Sequence, residues 1–403
     1  MALMPVDDAL ALILGGAVPL PEETMAIADA HGRVLARDLA ARRSQPMADM
    51  SAMDGYAVRA ADIAALPARL EVIGESAAGR PFDGTVAPGT AARIFTGALV
   101  PPGADTVVIQ ENTSRDGAVV EVVGETDPGR NIRKAGFDFA SGAPLLPAGR
   151  RLDARALMLA AAADHGTVPV RHRPRVGILQ TGDELVRPGA GAASPASVIV
   201  SNVYGIAGLA REAGAEVADL GLVGDSLEAT RAAVRAAVEG GFDILVTSGG
   251  ASVGEHDLMA PALVAEGITL SVHKIALRPG KPLMFGSRDA MRVLGLPGNP
   301  VSAYVCALLF LVPLVRALQG APAQNPVFDA RLGAPVKAND QRRDYMRATL
   351  SHSPDGTRMV TPLPTQDSAM LSALCGADCL LIREAGAPAA SAGDPCKALP
   401  LLG

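Results

Sequence analysis

The second half of the chain alternates short apolar runs with helical patterns, and this alternation constrains the fold more than any other feature. The apolar runs include RVGILQ (175–180) and FDILVT (242–247), and each is followed by a polar loop and then by a helical pattern. Strands that alternate with helices at this spacing are typical of a parallel, doubly wound sheet. In such sheets ligands bind beyond the carboxyl ends of the strands, which is where these loops are expected.

The loops that follow the predicted strands carry glycine, carboxylate and cationic residues. In chain order they supply Thr181, Gly182, Asp183 and Glu184; then Asp225; then Ser248, Gly249, Gly250, Ser252, Gly254 and Asp257; then Lys274, Arg278 and Lys281; and finally Pro297, Gly298 and Ser302. Glycines let the backbone approach a ligand and turn its N–H groups inward. Each feature also has an ordinary structural explanation: a tight turn for the paired glycines, a helix cap for Asp225 or Asp257, and a solvated surface charge for each cation.

Taken together, these loops predict a site for a phosphate ester and a divalent cation. Mg²⁺ takes one or two carboxylates together with phosphate oxygens, and Lys and Arg offset the remaining phosphate charge. The sequence contains no Walker loop, no strand-following dinucleotide fingerprint, no HExxH and no nucleophile elbow.

The first half of the chain and its end have a different texture. Helical patterns are predicted at 5–14, 22–36 and 152–163, and short β-like runs at 70–123 and again beyond Gly320. The segment 42–58 is polar, rich in methionine and irregular, and 127–138 is a basic loop.

Composition excludes several classes of function. The net charge is −6, aromatic residues make up 3% of the chain and Trp is absent, so a nucleic-acid partner is not expected. Cys375 and Cys379 could hold a metal, but their spacing favours incidental thiols, which suits a reducing cytoplasm. No signal peptide is predicted, and no membrane span, because the apolar run 308–314 is short and contains Pro313.

Seven motifs together resemble the MoeA family of molybdopterin molybdenumtransferases, which is related to the E domains of gephyrin and plant Cnx1. They are SAMDGYAV (51–58), RIFTGALVPPGADTVV (93–108), GRNIRKAGFD (129–138), TGDEL (181–185), SGGASVGEHD (248–257), RPGKP (278–282) and GLPGNPVS (295–302). Each is weak alone, but they span nearly the whole chain in the family's order.

The resemblance implies the last step of molybdenum cofactor synthesis, in which molybdate is inserted into adenylated molybdopterin and AMP is released with Mg²⁺ present. It implies a cytoplasmic homodimer with no membrane partner, and an interaction with other cofactor-synthesis enzymes is left open. The implied fold is α/β and multidomain. Its parts are a doubly wound molybdopterin-binding domain (1–20 plus 171–320), a small α-containing linking domain (21–44 plus 139–170), an inserted β domain (45–138) and a C-terminal β-barrel-like domain (321–403). The active site would lie between the α/β domain of one subunit and the inserted β domain of the other.

The resemblance also implies roles for individual residues. Catalytic roles fall to Asp54, Arg133, Asp138, Glu184, Asp225 and Asp257, and all of these except Arg133 are also predicted metal ligands. Thr96, the strand-end loop residues given above, Arg347 and Ser368 would bind substrate, with Arg347 and Ser368 forming a molybdate pocket. Structural alternatives remain for several of them: a turn Asp at 54, a strand-end hydroxyl at 96, and a surface ion pair for Arg133 and Asp138.

Two departures from the family pattern stand out. Arg278 replaces the lysine of many relatives, which keeps the charge but changes the donor geometry. Asp225 stands alone where relatives often have two carboxylates. Two other functions compete with the transferase: molybdopterin adenylyltransferase, which is usually a single domain, and a non-enzymatic scaffold of the gephyrin type.

Overall fold

The computed structural model describes residues 3–189, 194–249 and 258–401. Its helices are α1 (Val6–Leu14), α2 (Ala154–Ala162), α3 (Asn202–Glu212), α4 (Leu227–Glu239), α5 (Met259–Ala265), α6 (Pro300–Cys306), α7 (Val312–Leu318) and α8 (Leu371–Cys375). A π turn, Ala307–Leu311, joins α6 to α7, and 3₁₀ turns lie at Ile27–Asp29, Ala60–Ile63 and Gln110–Asn112.

The strands are numbered in chain order. They are β1 (Glu22–Ala26), β2 (Leu39–Ala40), β3 (Met50–Ser51), β4 (Gly55–Val58), β5 (Ala68–Ser76), β6 (Thr90–Ile94), β7 (Thr106–Ile109), β8 (Thr113–Asp116), β9 (Val119–Val122), β10 (Ile132–Arg133), β11 (Pro144–Leu146), β12 (Thr167–Arg171), β13 (Arg175–Thr181), β14 (Leu185–Val186), β15 (Val198–Ile199), β16 (Glu216–Val223), β17 (Ile244–Ser248), β18 (Thr269–Lys274), β19 (Leu277–Arg278), β20 (Pro282–Arg288), β21 (Met291–Leu296), β22 (Phe328–Leu332), β23 (Arg343–His352), β24 (Arg358–Pro362), β25 (Cys379–Arg383) and β26 (Pro395–Pro400).

The central sheet is mixed, not wholly parallel as predicted. Its strand order is β16-β13-β17-β21-β20-β18, and β13, β16, β17 and β21 are parallel. Strand β20 was not predicted from the sequence, and it is antiparallel to both β21 and β18. Only Asp289 and Ala290 join β20 to β21, with Asp289 at a φ of 52°, and so short a turn requires an antiparallel pair. Because β20 is antiparallel to β21 and β18 is antiparallel to β20, β18 runs in the same direction as the parallel strands. The RPGKP loop, which follows β18, therefore lies at their carboxyl edge.

Helices cover both faces of this sheet, as the doubly wound prediction required. The first face carries α1, α3, α6 and α7 around residues such as Ile206 and Phe310. The second carries α4 and α5 around residues such as Val234 and Leu263. Apolar burial on both faces is the main stabilising contribution to such a layered domain.

The long helix that the sequence predicts from Pro300 is confirmed as the segment Pro300–Leu318, which extends beyond the apolar run 308–314 at both ends. It is apolar and long enough to cross a membrane, but 83% of it is buried inside the protein, which makes it a core helix. Pro313 cannot donate a backbone hydrogen bond and crowds the preceding turn, and the π turn immediately before α7 accommodates it.

The predicted helix at 22–36 is wrong. Glu22–Ala26 forms β1, which pairs antiparallel with β12, and only a single 3₁₀ turn follows it. Exposure alternates along β1, the period of a half-buried strand, and its partner lies far away in sequence where local propensity cannot reveal it. The predicted helices at 5–14 and 152–163 are confirmed as α1 and α2.

Two β units complete the chain. The first is a six-stranded sheet of order β7-β4-β6-β5-β9-β8 within the predicted inserted domain. In the second, β23 pairs with both β24 and β25, which closes the C-terminal strands into the predicted barrel. β19, at the RPGKP loop, pairs in parallel with β23 and so holds that loop against the barrel. The division into four domains at the stated boundaries stays a prediction.

Candidate active site

A cleft of about 1030 Å³ opens where β13, β17 and β21 end. Its walls come from the loops after these strands, from the RPGKP loop, from the start of α6 and from the loop before α8. The predicted site residues that line it are Thr181, Glu184, Ser248, Gly249, Arg278, Lys281, Pro297, Gly298, Ser302 and Ser368. Residues distant in sequence thus meet at one cleft.

Gly249 allows the loops after β13 and β17 to touch. Its φ is +96°, a conformation that residues with a side chain rarely adopt. A Cβ placed there would lie 2.5 Å from the carbonyl oxygen of Thr181, so a side chain would push the two loops apart. Glycine is therefore required at this position by backbone geometry and by close packing.

Asn202, at the start of α3, links two loops of the cleft. Its Nδ2 donates to the Oγ of Ser248 at 2.8 Å and to the carbonyl of Gly298 at 2.8 Å. Ser248 is only 3% exposed, and its hydroxyl lies 3.5 Å from the carbonyl of Pro297. The Ser248 hydroxyl, predicted to bind substrate, therefore already has protein partners.

The two cations of the RPGKP loop differ in their partners. Arg278 forms an ion pair with Asp340 and a second with Asp344 at 3.3 Å, so two carboxylates of the barrel offset its charge. Burial raises the pKa of the Asp344 carboxyl above its usual range. Lys281 is exposed to the cleft and has no carboxylate partner among the described residues. Of these two cations, Lys281 is thus the one with charge available for an anionic ligand.

The acidic residues after β13 and β16 lie close to one another. The Oδ1 of Asp183 accepts a hydrogen bond from the backbone N–H of Asp225 at 2.9 Å. Asp225 does not cap α4, because the side chain of Ser226 does so by accepting from the N–H of Ala229. Glu184 is exposed on the cleft wall, and its carboxylate has no hydrogen-bond or ion-pair partner in the described part of the chain.

The side chain of Arg347, predicted to bind molybdate, is bonded within the protein. It is 1% exposed, and its guanidinium donates to the carbonyls of Asp367 at 2.7 Å and Thr365 at 3.3 Å and to the Oε1 of Gln366 at 3.3 Å. Its donors therefore hold the 365–367 loop. That loop in turn presents Ser368, whose Oγ accepts from Asn299, to the cleft.

A second group of predicted residues lies in the inserted β sheet and does not line this cleft. The Oδ1 of Asp54 accepts from the backbone N–H of Thr96 at 2.7 Å and from its hydroxyl at 2.8 Å. These bonds hold the pKa of the Asp54 carboxyl below its usual range. Arg133 and Asp138 are both exposed and form no ion pair with each other.

The remaining predicted residues fall into two sets. Gly182, Asp183, Asp225 and Lys274 are described but are not among the cleft-lining residues. Gly250, Ser252, Gly254 and Asp257 lie outside the described residues.

Sequence reasoning gave no role to several polar residues that line the cleft, among them Asn202, Gln366 and Arg342. An asparagine where a helix begins beside a strand-end loop was a usable signal for Asn202, and Gln366 stands two residues before the predicted Ser368. Nothing in the sequence pointed to Arg342, which pairs with Asp340.

The described residues fit an Mg²⁺ site made of protein carboxylates and substrate phosphates better than one made of protein ligands alone. No group of three or more His, Cys, Asp or Glu side chains suited to a metal occurs within residues 3–189, 194–249 and 258–401. Mg²⁺ is commonly held by one or two carboxylates together with substrate phosphates. The unpartnered carboxylate of Glu184 suits that arrangement. Cys375 and Cys379 form no such group either, and Cys379 is buried, with a pKa raised to about 11.

Three family models match successive parts of the chain. Residues 4–163 match the MoeA N-terminal region (domain I and II), residues 177–317 a probable molybdopterin binding domain, and residues 329–401 the MoeA C-terminal region (domain IV).

Individual relatives extend the same similarity over the whole chain. A molybdopterin molybdenumtransferase of Nostoc sp. is 38% identical over 339 residues, covering 81% of this chain and 76% of that protein. One from Haemophilus influenzae is 34% identical over 397 residues and covers 97% of both. The solved structure of a molybdopterin biosynthesis MoeA protein from Pyrococcus horikosii superposes with a TM-score of 0.83 at 29% identity and covers 100% of both chains.

Proposed function

The chain belongs to the MoeA family, and from this premise we propose that it is a molybdopterin molybdenumtransferase acting in molybdenum cofactor synthesis. Its substrates are adenylated molybdopterin and molybdate, and AMP is the leaving product. The observation that carries the proposal is the cleft at the carboxyl ends of β13, β17 and β21, where Lys281 supplies a cation without a carboxylate partner in the described chain.

Each wall of the cleft has a chemical task in this proposal. Lys281 offsets the charge of the phosphate groups, and Asn202 fixes the two loops against which the pterin lies. Arg278 is tied to the barrel, so it shapes the wall and adds little free charge. No side chain attacks the substrate, because the dithiolene sulfurs are themselves soft ligands that take the metal from molybdate.

Glu184 would hold Mg²⁺ together with substrate phosphate oxygens. When bound, Mg²⁺ stabilises negative charge at the phosphoanhydride. Asp54, kept ionised by Thr96, would reach the same ion from the inserted β domain. The roles of Asp138, Asp225 and Asp257 at the metal remain part of the same proposal.

We further propose that a complete site needs two subunits of a cytoplasmic homodimer. Among the described residues, none numbered below Gln180 lines the cleft, so Asp54 and Thr96 must reach it from another chain if they act there. Arg133 would accompany them. The four-domain division stated above assigns these two halves to the inserted β domain and the α/β domain.

The competing functions have less support. Family models match both the N-terminal and the C-terminal regions as well as the central domain, which a single-domain adenylyltransferase would not need. The curated relatives that cover most of the chain are named as molybdenumtransferases, which favours an enzyme over a scaffold.

The direct test measures AMP released by purified protein from adenylated molybdopterin, Mg²⁺ and molybdate. Release that depends on molybdate supports the proposal, and a protein that binds the substrate but releases no AMP refutes it.

Subunit mixing tests the shared site. Asp54→Ala and Glu184→Gln homodimers should each be inactive. Random reassociation of the two variants should restore about a quarter of wild-type activity, because half of the dimers are mixed and each mixed dimer has one intact site out of two. If both active-site halves belonged to one chain, mixing would restore nothing.

A further inference from the structure

A second cleft, of about 980 Å³, lies between α2 and the carboxyl ends of α3 and α7. Its floor is apolar, formed by the buried side chains of Val34, Leu152 and Ala213. Four arginines surround this floor: Arg150, Arg151, Arg155 and Arg316. We call it the arginine cleft, and neither the sequence motifs nor the proposed transferase function uses it.

The two sides of the arginine cleft are held in fixed register. Gly149 has a φ of +78°, and a Cβ there would lie 2.6 Å from the carbonyl oxygen of Gly320, so the two backbones touch at this point. The Nη1 of Arg151 donates to the carbonyl of Glu212, the last residue of α3, at 2.9 Å. A cleft built on such contacts keeps its shape without a ligand, which lowers the entropic cost of binding.

The charges in the arginine cleft do not balance. Asp153 is its one lining carboxylate among the described residues, and it pairs with Arg150 at 3.2 Å and Arg155 at 2.9 Å. The same carboxylate also caps α2. Arg151 and Arg316 therefore have no carboxylate partner within the described chain.

Arg151 and Arg316 also repel each other. Burial and the nearby Arg151 charge both lower the pKa of the Arg316 guanidinium. Within the described residues the Arg316 side chain bonds only neutral acceptors, the carbonyl of Gln324 at 3.4 Å and the Oδ1 of Asn325 at 3.1 Å. Each guanidinium has five N–H donors, so both keep donors unused by the described residues.

We propose that the arginine cleft binds a tetrahedral oxyanion between Arg151 and Arg316, either free or as the phosphate group of a small monoester. An oxyanion removes the repulsion between the two guanidiniums and accepts their unused N–H groups in the paired geometry that arginine favours. The apolar floor and the volume leave room for the body of an ester. No Phe, Tyr or Trp side chain lines the cleft in the described residues, and its one ring there is the imidazole of His31.

The test is isothermal calorimetry on the full chain carrying Lys281→Ala, which removes the unpaired cation of the active-site cleft. Inorganic phosphate, glycerol 3-phosphate and molybdate are titrated separately at a constant ionic strength. We expect saturable binding of one oxyanion per chain. Preference for glycerol 3-phosphate over phosphate identifies an ester ligand, and preference for phosphate or molybdate identifies a free ion.

Arginine variants in the same background locate the binding. Arg151→Gln and Arg316→Gln should each weaken it about tenfold or more, because each removes a charge-assisted donor. Arg155→Gln is the matched control: its side chain is 87% exposed and pairs only with Asp153, so we expect a change of about twofold at most. Absence of saturable binding at millimolar concentrations, or equal losses in all three variants, overturns the proposal.

A footprint on the unmutated protein covers the case in which Arg316→Gln fails to fold. Phenylglyoxal modifies exposed arginines, and mass spectrometry reports each site. The preferred oxyanion should protect Arg151 and leave Arg155 as reactive as before, whereas unprotected Arg151 would refute the site. Neither outcome depends on transferase activity, so it is separate from the test of the proposed function.

Discussion

Arg347→Ala distinguishes a structural role for this arginine from the substrate-binding role that the sequence suggested. Its guanidinium donates to the carbonyls of Asp367 and Thr365 and to the Gln366 side chain, at 2.7, 3.3 and 3.3 Å. Gln366 returns a bond to the Arg347 carbonyl at 3.0 Å. The arginine thus holds the loop that carries Ser368 into the active-site cleft.

The size of the effect follows from these contacts. A buried acceptor that loses its donor costs about 1–3 kcal/mol, and bonds to charged donors lie at the upper end. One of the three bonds is short and two are long, so their combined contribution should be smaller than that of three short bonds. We therefore expect Arg347→Ala to lower the free energy of opening the loop by about 3 kcal/mol. That corresponds to an increase of about a hundredfold in the open population.

Hydrogen exchange followed by mass spectrometry measures this population directly. Peptides covering 361–370 should exchange about a hundredfold faster in Arg347→Ala. Peptides covering 299–303 should also exchange faster, because the Val301 N–H donates to the Ser368 carbonyl at 3.1 Å. The exchange rates of strands in the inserted β sheet, such as 106–109, should not change.

Arg331→Ala is the matched control. Arg331 also donates from Nη1 to a backbone carbonyl, that of Gly393, at 2.7 Å, but it is exposed and water can replace the bond. We expect about a twofold change at most there. If exchange at 361–370 is unchanged in Arg347→Ala while KM for molybdate rises, the structural argument is refuted and the arginine binds substrate.

Three further predictions concern the active site. Lys281→Ala should raise KM for the adenylated substrate about tenfold or more by removing the unpaired cation, whereas the exposed Lys337→Ala should leave it within about twofold. Asn202→Asp replaces the donor that links two strand-end loops with an acceptor, so kcat/KM for AMP release should fall at least about tenfold. An unchanged kcat/KM would contradict the linking role. Thr96→Val removes one of the hydrogen bonds that lower the pKa of Asp54, so this pKa should rise and the acid limb of the pH–rate profile should move to higher pH. Thr96→Ser should return the acid limb to its wild-type position. An acid limb that does not move in Thr96→Val would show that Asp54 ionisation does not control it.

The sequence predicted where the active-site cleft lies because strand ends can be located from local pattern. Thr181 and Ser248 each follow an apolar run, and parallel strands bring such positions to one edge. Local pattern failed where pairing is decided at a distance. The segment 22–36 has acidic residues after a proline and resembles a helix start, but pairing with β12 makes its first part a strand.

The strand β20 was missed for a related reason. Pro282 and Gly286 weaken its strand signal, and the two-residue turn at Asp289 contains no glycine. Only the neighbouring β18 and β21 supply the pairing that makes it a strand. The direction of β18, and hence the edge at which Lys281 lies, followed from this hairpin and not from the alternation of strands and helices.

A residue's type indicates what it can bind, but its partners in the fold decide whether that capacity is available. Ser248, Arg278 and Arg347 all have side chains suited to an anion, yet each is already bonded within the protein. Lys281 keeps its charge available to the active-site cleft, as far as the described residues show. In the arginine cleft the two arginines Arg151 and Arg155 differ in the same way. Arg155 has a carboxylate partner, whereas Arg151 donates to a backbone carbonyl and keeps its charge for a ligand. Unused hydrogen-bonding capacity at a cleft, not residue type, is therefore the property that should identify ligand-binding side chains in this protein.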